Sequence, residues 1–298
     1  MAKSSEAGCH IMTNSMTPAG ELLRSEIERS GPLSLERFMQ VALYHPEHGY
    51  YRRTRDPFGR GGDFFTASQL QPVFGQLIRA VLEAHTGLRT IVDVGAGRGE
   101  MFAAFQAPWN YQAVDYGEEL PTGIEGVVFA NELFDALPCR AYDATGQEAR
   151  VTFQAGRFAW TATPVREESP GMAALMGQMA SSLQRGMMLL IDYGYRAQEY
   201  PRRFPQGSLM AYRHHQAHAD ILAHPGEQDI TAHVNFSRLI ELAQAHGLRV
   251  VRDQRLSALL LEVGERALAQ AAAESTGTLK TLLFGMGDSF DTLLLERP

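Results

Sequence analysis

Four short apolar runs organise the middle of the chain: Arg89-Thr-Ile-Val-Asp-Val94, Tyr111-Gln-Ala-Val-Asp115, Gly126-Val-Val-Phe-Ala130 and Gly186-Met-Met-Leu-Leu-Ile191. Nearly unbroken runs of this length predict parallel strands covered on both faces, since half-exposed strands alternate instead. Leu248–Arg252 and Phe290–Leu295 predict the last strands. Between and before them the apolar period lengthens to that of helices. Leu22, Leu23 and Ile27 share one face behind a Thr17-Pro18 cap, and Gly31-Pro32 stops that helix. Ser34 opens a second helix carrying Leu35, Phe38, Met39 and Ala42, and Pro72–His85 and Phe236–His246 read as two more. A further helix, with Met101, Phe102 and Phe105 on one side, is expected after Gly99.

Strands alternating with helices predict an α/β fold with a Rossmann-like sheet. Residues 1–16 read as a disordered tail, 17–86 as a helical N-terminal segment with a lid loop, and 87–298 as the sheet domain. Inside the last, about 139–235 is an insertion: an antiparallel meander over 139–162, turning at Asp143–Gly146 and Gln154–Arg157, then a long polar loop region over 196–235.

The turn after the first strand carries the clearest chemistry. Asp93-Val-Gly95-Ala-Gly97-Arg-Gly99 places an acid two residues before three alternate glycines. Glycine lets a backbone adopt positive φ and approach a ligand, and the amides of a strand-to-helix turn suit an anionic or zwitterionic group. The dinucleotide fingerprint requires a sixth-position glycine, where this chain has Glu100, which disfavours a nicotinamide enzyme. An acid at Asp93 suits the ammonium of an amino-acid-like ligand, and Asp115, ending the next strand, stands where a carboxylate accepts ribose hydroxyls. Asn131, Glu132 and Asp135 follow the third strand and Asp192 the fourth, at the carboxyl edge where open α/β sheets bind ligands.

In order along the chain, Ala42-Leu-Tyr-His-Pro-Glu-His-Gly-Tyr-Tyr51, Gly62-Asp-Phe-Phe-Thr66, the glycine turn, Ala130-Asn-Glu-Leu-Phe-Asp-Ala-Leu-Pro138, Leu190-Ile-Asp-Tyr-Gly194 and Thr231-Ala-His-Val-Asn-Phe236 resemble the MidA family of methyltransferases. The resemblance spans most of residues 17–298. It implies a class I methyltransferase fold and S-adenosyl-L-methionine as cofactor, bound by Asp93, Gly95, Gly97, Gly99 and Asp115, with Gly62, Asp63 and Phe64 folding over it. It further implies a protein substrate, an arginine of a respiratory complex subunit in the mitochondrial member of the family. The expected acceptor-side residues are Asn131, Glu132, Asp135, Asp192 and, inside the Thr231–Phe236 segment, His233; for Asp135 a turn cap and for Asp192 a bond to loop amides are the equal alternatives.

Three departures stand out. Ala67-Ser-Gln-Leu-Gln71 replaces the family's Ala-Pro-Glu-Ile-Ser, Asp93 replaces the commoner Glu, and only 11 residues separate Asp115 from Val127. A crossover needs a dozen or more residues, so the strand that normally follows at this point is vestigial or gone. That shortening keeps open a non-catalytic cofactor-binding assembly factor, and a small-molecule methyltransferase is the other alternative.

Composition narrows the partners. The net charge of −7 argues against nucleic acid, which calls for an excess of cations, and fits a cationic substrate. Two cysteines, Cys9 and Cys139, suit a reducing compartment, and no apolar run approaches a membrane span, so a cytoplasmic location is expected. His214, His215, His218, His224 and His233 cluster near Asp220, Glu227 and Asp229 and read as a polar substrate-facing loop, with no metal expected. Arg52, Arg53, Arg55 and Arg60 read as part of a lid or solvated loop. Oligomeric state is not legible.

Overall fold

The computed structural model describes residues 16–52, 70–214 and 216–298. The expectations for the tail at 1–15, for Gly62, Asp63 and Phe64, for Arg53, Arg55 and Arg60, and for His215 lie outside these residues.

Helix α1 (Pro18–Ser30) starts where the Thr17 hydroxyl accepts the Gly20 amide at 3.0 Å, with proline in the first turn. It stops at Gly31, whose φ of 82° carries the chain out of the helix. Ser34 caps α2 (Leu35–Tyr44) in the same way through the Arg37 amide, and α3 (Val73–His85) follows.

The sheet begins with β1 (Thr90–Val94), β2 (Asn110–Val114) and β3 (Ile124–Asn131). The insertion supplies β4 (Arg140–Tyr142), β5 (Glu148–Ala149), β6 (Val151–Gln154), β7 (Arg157–Trp160) and β8 (Arg166–Glu168). After α4 (Gly171–Ser182) and the long β9 (Leu183–Tyr195) come α5 (Tyr200–Arg203), β10 (Met210–Arg213), β11 (Gln216–His218), β12 (Asp229–Thr231) and β13 (Val234–Asn235). The chain closes with α6 (Phe236–Ala245), β14 (Arg249–Arg255), α7 (Leu256–Leu261), α8 (Glu265–Phe284), α9 (Met286–Ser289) and β15 (Phe290–Arg297).

The main sheet runs β14-β15-β9-β3-β1-β2, with β13 also paired to β9. β2, β1, β3 and β9 are parallel, and β15 is antiparallel to both neighbours. Alternate residues feed two cores, which explains the unbroken apolar runs. Val128, Ala130, Met188 and Leu190 pack against α4 and α6. Val127, Phe129, Leu189 and Ile191 pack against α3, α7 and α8. Among the described residues no strand pairs the outer side of β2, in agreement with the short gap after Asp115.

Packing groups the rest differently from sequence order. Leu23, Phe38 and Met39 of α1 and α2 share a third core with Ala141, Val151, Ala211 and Ile230 of the insertion, while α3 belongs to the sheet. Two expectations need correction. The region read as polar loop over 196–235 holds a three-stranded sheet, β11-β10-β12, whose strands of 3 or 4 residues are too short to show a period. The helix expected after Gly99 is a six-residue 3-10 helix, Glu100–Phe105. The chain must return to β2 by Asn110, which leaves little length for an α-helix.

Candidate functional site

Gly95, Gly97 and Gly99 all have positive φ, 73°, 57° and 72°. They do different work. Gly95 donates its amide to the Val114 carbonyl at 2.8 Å, and a Cβ on it would lie 2.7 Å from Leu133 Cδ1. On its Cβ side, its close approach is to the turn after β3. Gly99 donates to the Ala96 carbonyl at 2.8 Å, and a Cβ there would meet nothing nearer than the Tyr111 hydroxyl at 3.8 Å. The Gly97 amide, in an exposed residue, has no hydrogen-bond partner among the described residues.

Asp93, next to this turn, is 3% exposed, and its Oδ2 accepts the Tyr111 hydroxyl at 2.6 Å. Burial pushes its carboxyl up to about 7; the Tyr111 hydrogen bond opposes this and nearby Glu100 adds to it. Parallel pairing sets Val94 level with Val114, so Asp115 emerges beside the same turn. Asp115 is exposed; its Oδ1 accepts the Tyr116 amide at 2.8 Å, and the Arg52 guanidinium lies 3.7 Å away. An open turn, a buried acid and a solvent-facing acid fit a ligand carrying an ammonium at one end and hydroxyls further along.

The second half of the site is the turn after β3. Asn131 ends the strand and Glu132 takes a φ of 51°, a conformation that costs a side-chain-bearing residue about 1–3 kcal/mol. Neighbouring contacts hold it there. The Glu132 amide bonds the Ile191 carbonyl at 2.9 Å, and Asp192 Oδ2 accepts the amides of Leu133, Phe134 and Asp135 at 3.2, 2.8 and 3.3 Å. Asp192 Oδ1 takes the Tyr193 amide at 2.8 Å. Asp192 is 1% exposed, and burial, then the charge of Glu132, pushes it up to about 8. Of the two readings open for Asp192, an acceptor-facing acid or a strand-end acid that bonds loop amides, the geometry fits the second: its oxygens accept backbone amides, and it positions the turn.

Asn131 Nδ2 donates to Glu132 Oε1 at 3.0 Å, and the Asn131 Oδ1 atom is buried without a hydrogen-bond partner among the described residues. Asp135 is buried, and its carboxyl is raised well above the usual range by burial, then by Asp192 and Asp229. Asp229 accepts the Tyr51 hydroxyl at 2.7 Å and sits opposite Tyr212 in the β10–β12 pairing. The anions that act on the Tyr212 phenol are Asp135, Asp229 and Glu132, and Tyr193 is raised by burial and then by Glu132. Carboxylates from β3, β9 and β12 thus meet phenols from the N-terminal helices and the insertion. Sequence reasoning put Asp229 in a polar substrate-facing loop without naming it as a site residue, and did not bring Tyr51 or Tyr212 into this group. Tyr51 closes the Ala42–Tyr51 motif, which was a usable signal; Tyr212 had none.

His233 lies beside the group rather than in it. Its amide donates to Ser208 Oγ at 2.8 Å, and its ring centroid is 4.6 Å from Phe204 and 6.1 Å from Tyr193. Burial, then Arg203, pushes the imidazole down to about 4, so it is neutral at physiological pH. It lines a cavity of about 420 Å³ with Phe134, Tyr195, Tyr200 and Asn235. His214 and His218 lie on the β10–β11 hairpin, not on a helix, and among the described residues no three His, Cys, Asp or Glu side chains could hold a metal. No helix among those residues is long and apolar enough to cross a membrane.

Residues 104–253 match the model of a family described as S-adenosyl-L-methionine-dependent methyltransferase. The chain is 24% identical to the Drosophila melanogaster protein arginine methyltransferase NDUFAF7 homolog, mitochondrial, over 76% of this chain and 70% of that one. It is 24% identical to its Homo sapiens counterpart over 78% and 70%. Among solved structures it superposes on a Burkholderia thailandensis protein bound to S-adenosyl-homocysteine, with a TM-score of 0.82 and 28% identity. That match covers 94% of this chain and 91% of that one.

Proposed function

Because the chain belongs to this family of S-adenosyl-L-methionine-dependent methyltransferases, we propose that the group it methylates is the guanidinium of an arginine in a protein partner. The observation that carries the reading is a convergence at the carboxyl edge of β3 and β9: Asp192 holds the turn from Glu132 to Asp135, the Ala232 amide just after β12 bonds the Asp135 carbonyl at 2.9 Å, and Asp229 on β12 accepts the Tyr51 hydroxyl and stands opposite Tyr212. Buried carboxylates that act on one another are unfavourable without a counter-charge, and guanidinium is the side-chain cation that stays charged in any surroundings and offers five donors. The names of the relatives support the same acceptor.

When bound, S-adenosyl-L-methionine supplies a methyl group on a sulfonium sulfur, open to in-line displacement. Asp93 is assigned to its ammonium, Asp115 to its ribose hydroxyls, and the turn at Gly97 and Gly99 to the space between them. On the acceptor side the tasks are alignment and proton removal. Glu132 and Asn131 Oδ1, which has no partner among the described residues, receive N–H donors from the guanidinium, fixing the nitrogen that reacts. Adding a methyl cation to a guanidinium returns it to a single positive charge only when the reacting nitrogen sheds one proton, and Glu132 takes it. Tyr193 and Tyr212, held protonated, border the cation without adding charge.

The reading extends to a respiratory complex subunit as partner, which the family resemblance suggests, and to a cytoplasmic location, supported by cysteine usage alone. The test is transfer of radiolabelled methyl from S-adenosyl-L-methionine into lysate protein, followed by acid hydrolysis and amino-acid analysis. Label in methylarginine is the expected result. Label in another amino acid or in small molecules overturns the acceptor, and tight S-adenosyl-homocysteine binding without transfer points to an assembly factor.

A further inference from the structure

We propose that Tyr111 is a positioning residue for the cofactor: its phenol pins one oxygen of Asp93 so that the other is presented to the cofactor's ammonium. The proposal rests on the reading that Asp93 receives that ammonium, and it assigns a task to a side chain outside the glycine motif.

Three observations converge on Tyr111. Its hydroxyl donates to Asp93 Oδ2 at 2.6 Å, across the β1–β2 pairing in which Tyr111 stands level with Ile91. The same hydroxyl is the nearest atom that a Cβ on Gly99 would meet, at 3.8 Å, so one phenol underlies both the acid and the third glycine. The ring is held from the 3-10 helix by Phe102 and Phe105, with centroids 5.7 and 6.4 Å away. A phenol has a single proton to donate, and Oδ2 takes it. No hydrogen bond reaches Asp93 Oδ1 among the described residues.

Among the described residues, the titratable groups acting on Asp93 are Tyr111 from β2 and Glu100 from the 3-10 helix. The other elements on this face contribute apolar side chains, Phe129 from β3 and Phe74 and Ile78 from α3. With burial holding the carboxyl near neutrality, an ammonium pairs with Asp93 only after the acid has given up its proton. Cofactor uptake therefore releases a proton at slightly acid pH and tightens as pH rises towards the Asp93 midpoint. The Tyr111 hydrogen bond favours the ionised form, so its removal shifts that midpoint upward.

Calorimetric titration with S-adenosyl-homocysteine between pH 5.5 and 8 tests this on the full chain. Tyr111→Phe keeps the ring and its packing. It is expected to weaken binding about three- to tenfold at pH 7, with the deficit narrowing by pH 8 and more protons released per binding event at pH 7. In an Asp93→Asn background the same substitution is expected to change nothing further. Unchanged affinity and pH profile in Tyr111→Phe overturn the proposal, as does an equal loss at every pH and in both backgrounds. If Asp93→Asn alone leaves affinity intact, the assignment of Asp93 to the ammonium fails, and the Tyr111 proposal with it.

Discussion

The carboxylate of Asp192, at the end of β9, accepts the amide of Phe134 at 2.8 Å across 58 residues of sequence. With the flanking amides of Leu133 and Asp135 it fixes the turn on which Glu132 sits in a left-handed conformation. Asp192→Ala leaves these buried amides without an acceptor, and a loss of about 2–5 kcal/mol in urea unfolding is expected. Asp192→Asn keeps one acceptor oxygen and loses less. The folded pKa of Asp192, about 8, is raised, so the wild type is favoured at low pH and loses that advantage as pH rises towards 8. The Asn variant therefore gains on the wild type over that range.

Glu132→Gln removes the proton acceptor and keeps the shape. Methyl transfer at saturating substrate is expected to fall by about 10²-fold or more, with S-adenosyl-homocysteine affinity within twofold of wild type. Full turnover in a folded variant removes Glu132 from the chemistry.

Asp229 and Tyr51 reach the site from the insertion and the N-terminal helices. Asp229→Asn is expected to raise KM for the protein acceptor about tenfold, the weight of one charge-assisted hydrogen bond, and to leave cofactor affinity unchanged. Tyr51→Phe follows in the same direction with a smaller effect, because the 2.7 Å bond orients Asp229 without touching its charge. Steady-state kinetics with the acceptor varied distinguish these outcomes.

His233 is held neutral, with its pKa pushed down to about 4. Its unfolded counterpart protonates first as pH falls through about 6.5. Stability from this residue is therefore present above pH 6.5 and lost between there and 4, to a total of about 3 kcal/mol. His233→Gln should flatten the acid side of the stability curve measured by urea unfolding at pH 5 and 7.5.

Gly95→Ala places a methyl 2.7 Å from Leu133 Cδ1 at a φ of 73°. Destabilisation of about 2–4 kcal/mol is expected, together with weaker cofactor binding, as the turns after β1 and β3 are forced apart. Adding Leu133→Ala should restore part of the binding, measured by calorimetry, although it opens a cavity. If the second substitution restores nothing, the collision is not the cause.

Local rules carried the reading of the sheet. Val92, Val128 and Leu190 lie in apolar runs whose composition alone dictates burial on two faces, and the glycines before Glu100 stand where backbone angles admit little else. The short gap after Asp115 left the following strand vestigial or gone by chain length, and among the described residues β2 has no outer partner. What only the tertiary structure decided is who meets whom across large separations. Asp229 and Tyr51 are 178 residues apart and share a hydrogen bond because α1 and α2 pack onto the insertion. Asp192, for which sequence position left ligand contact and loop-amide bonding equally open, is turned inward to satisfy backbone amides. Periodicity and turn chemistry act over a few residues and so are written in the chain. The direction of a strand-end carboxylate depends on which unpaired donor lies nearest in space, and that is fixed only when the layers close.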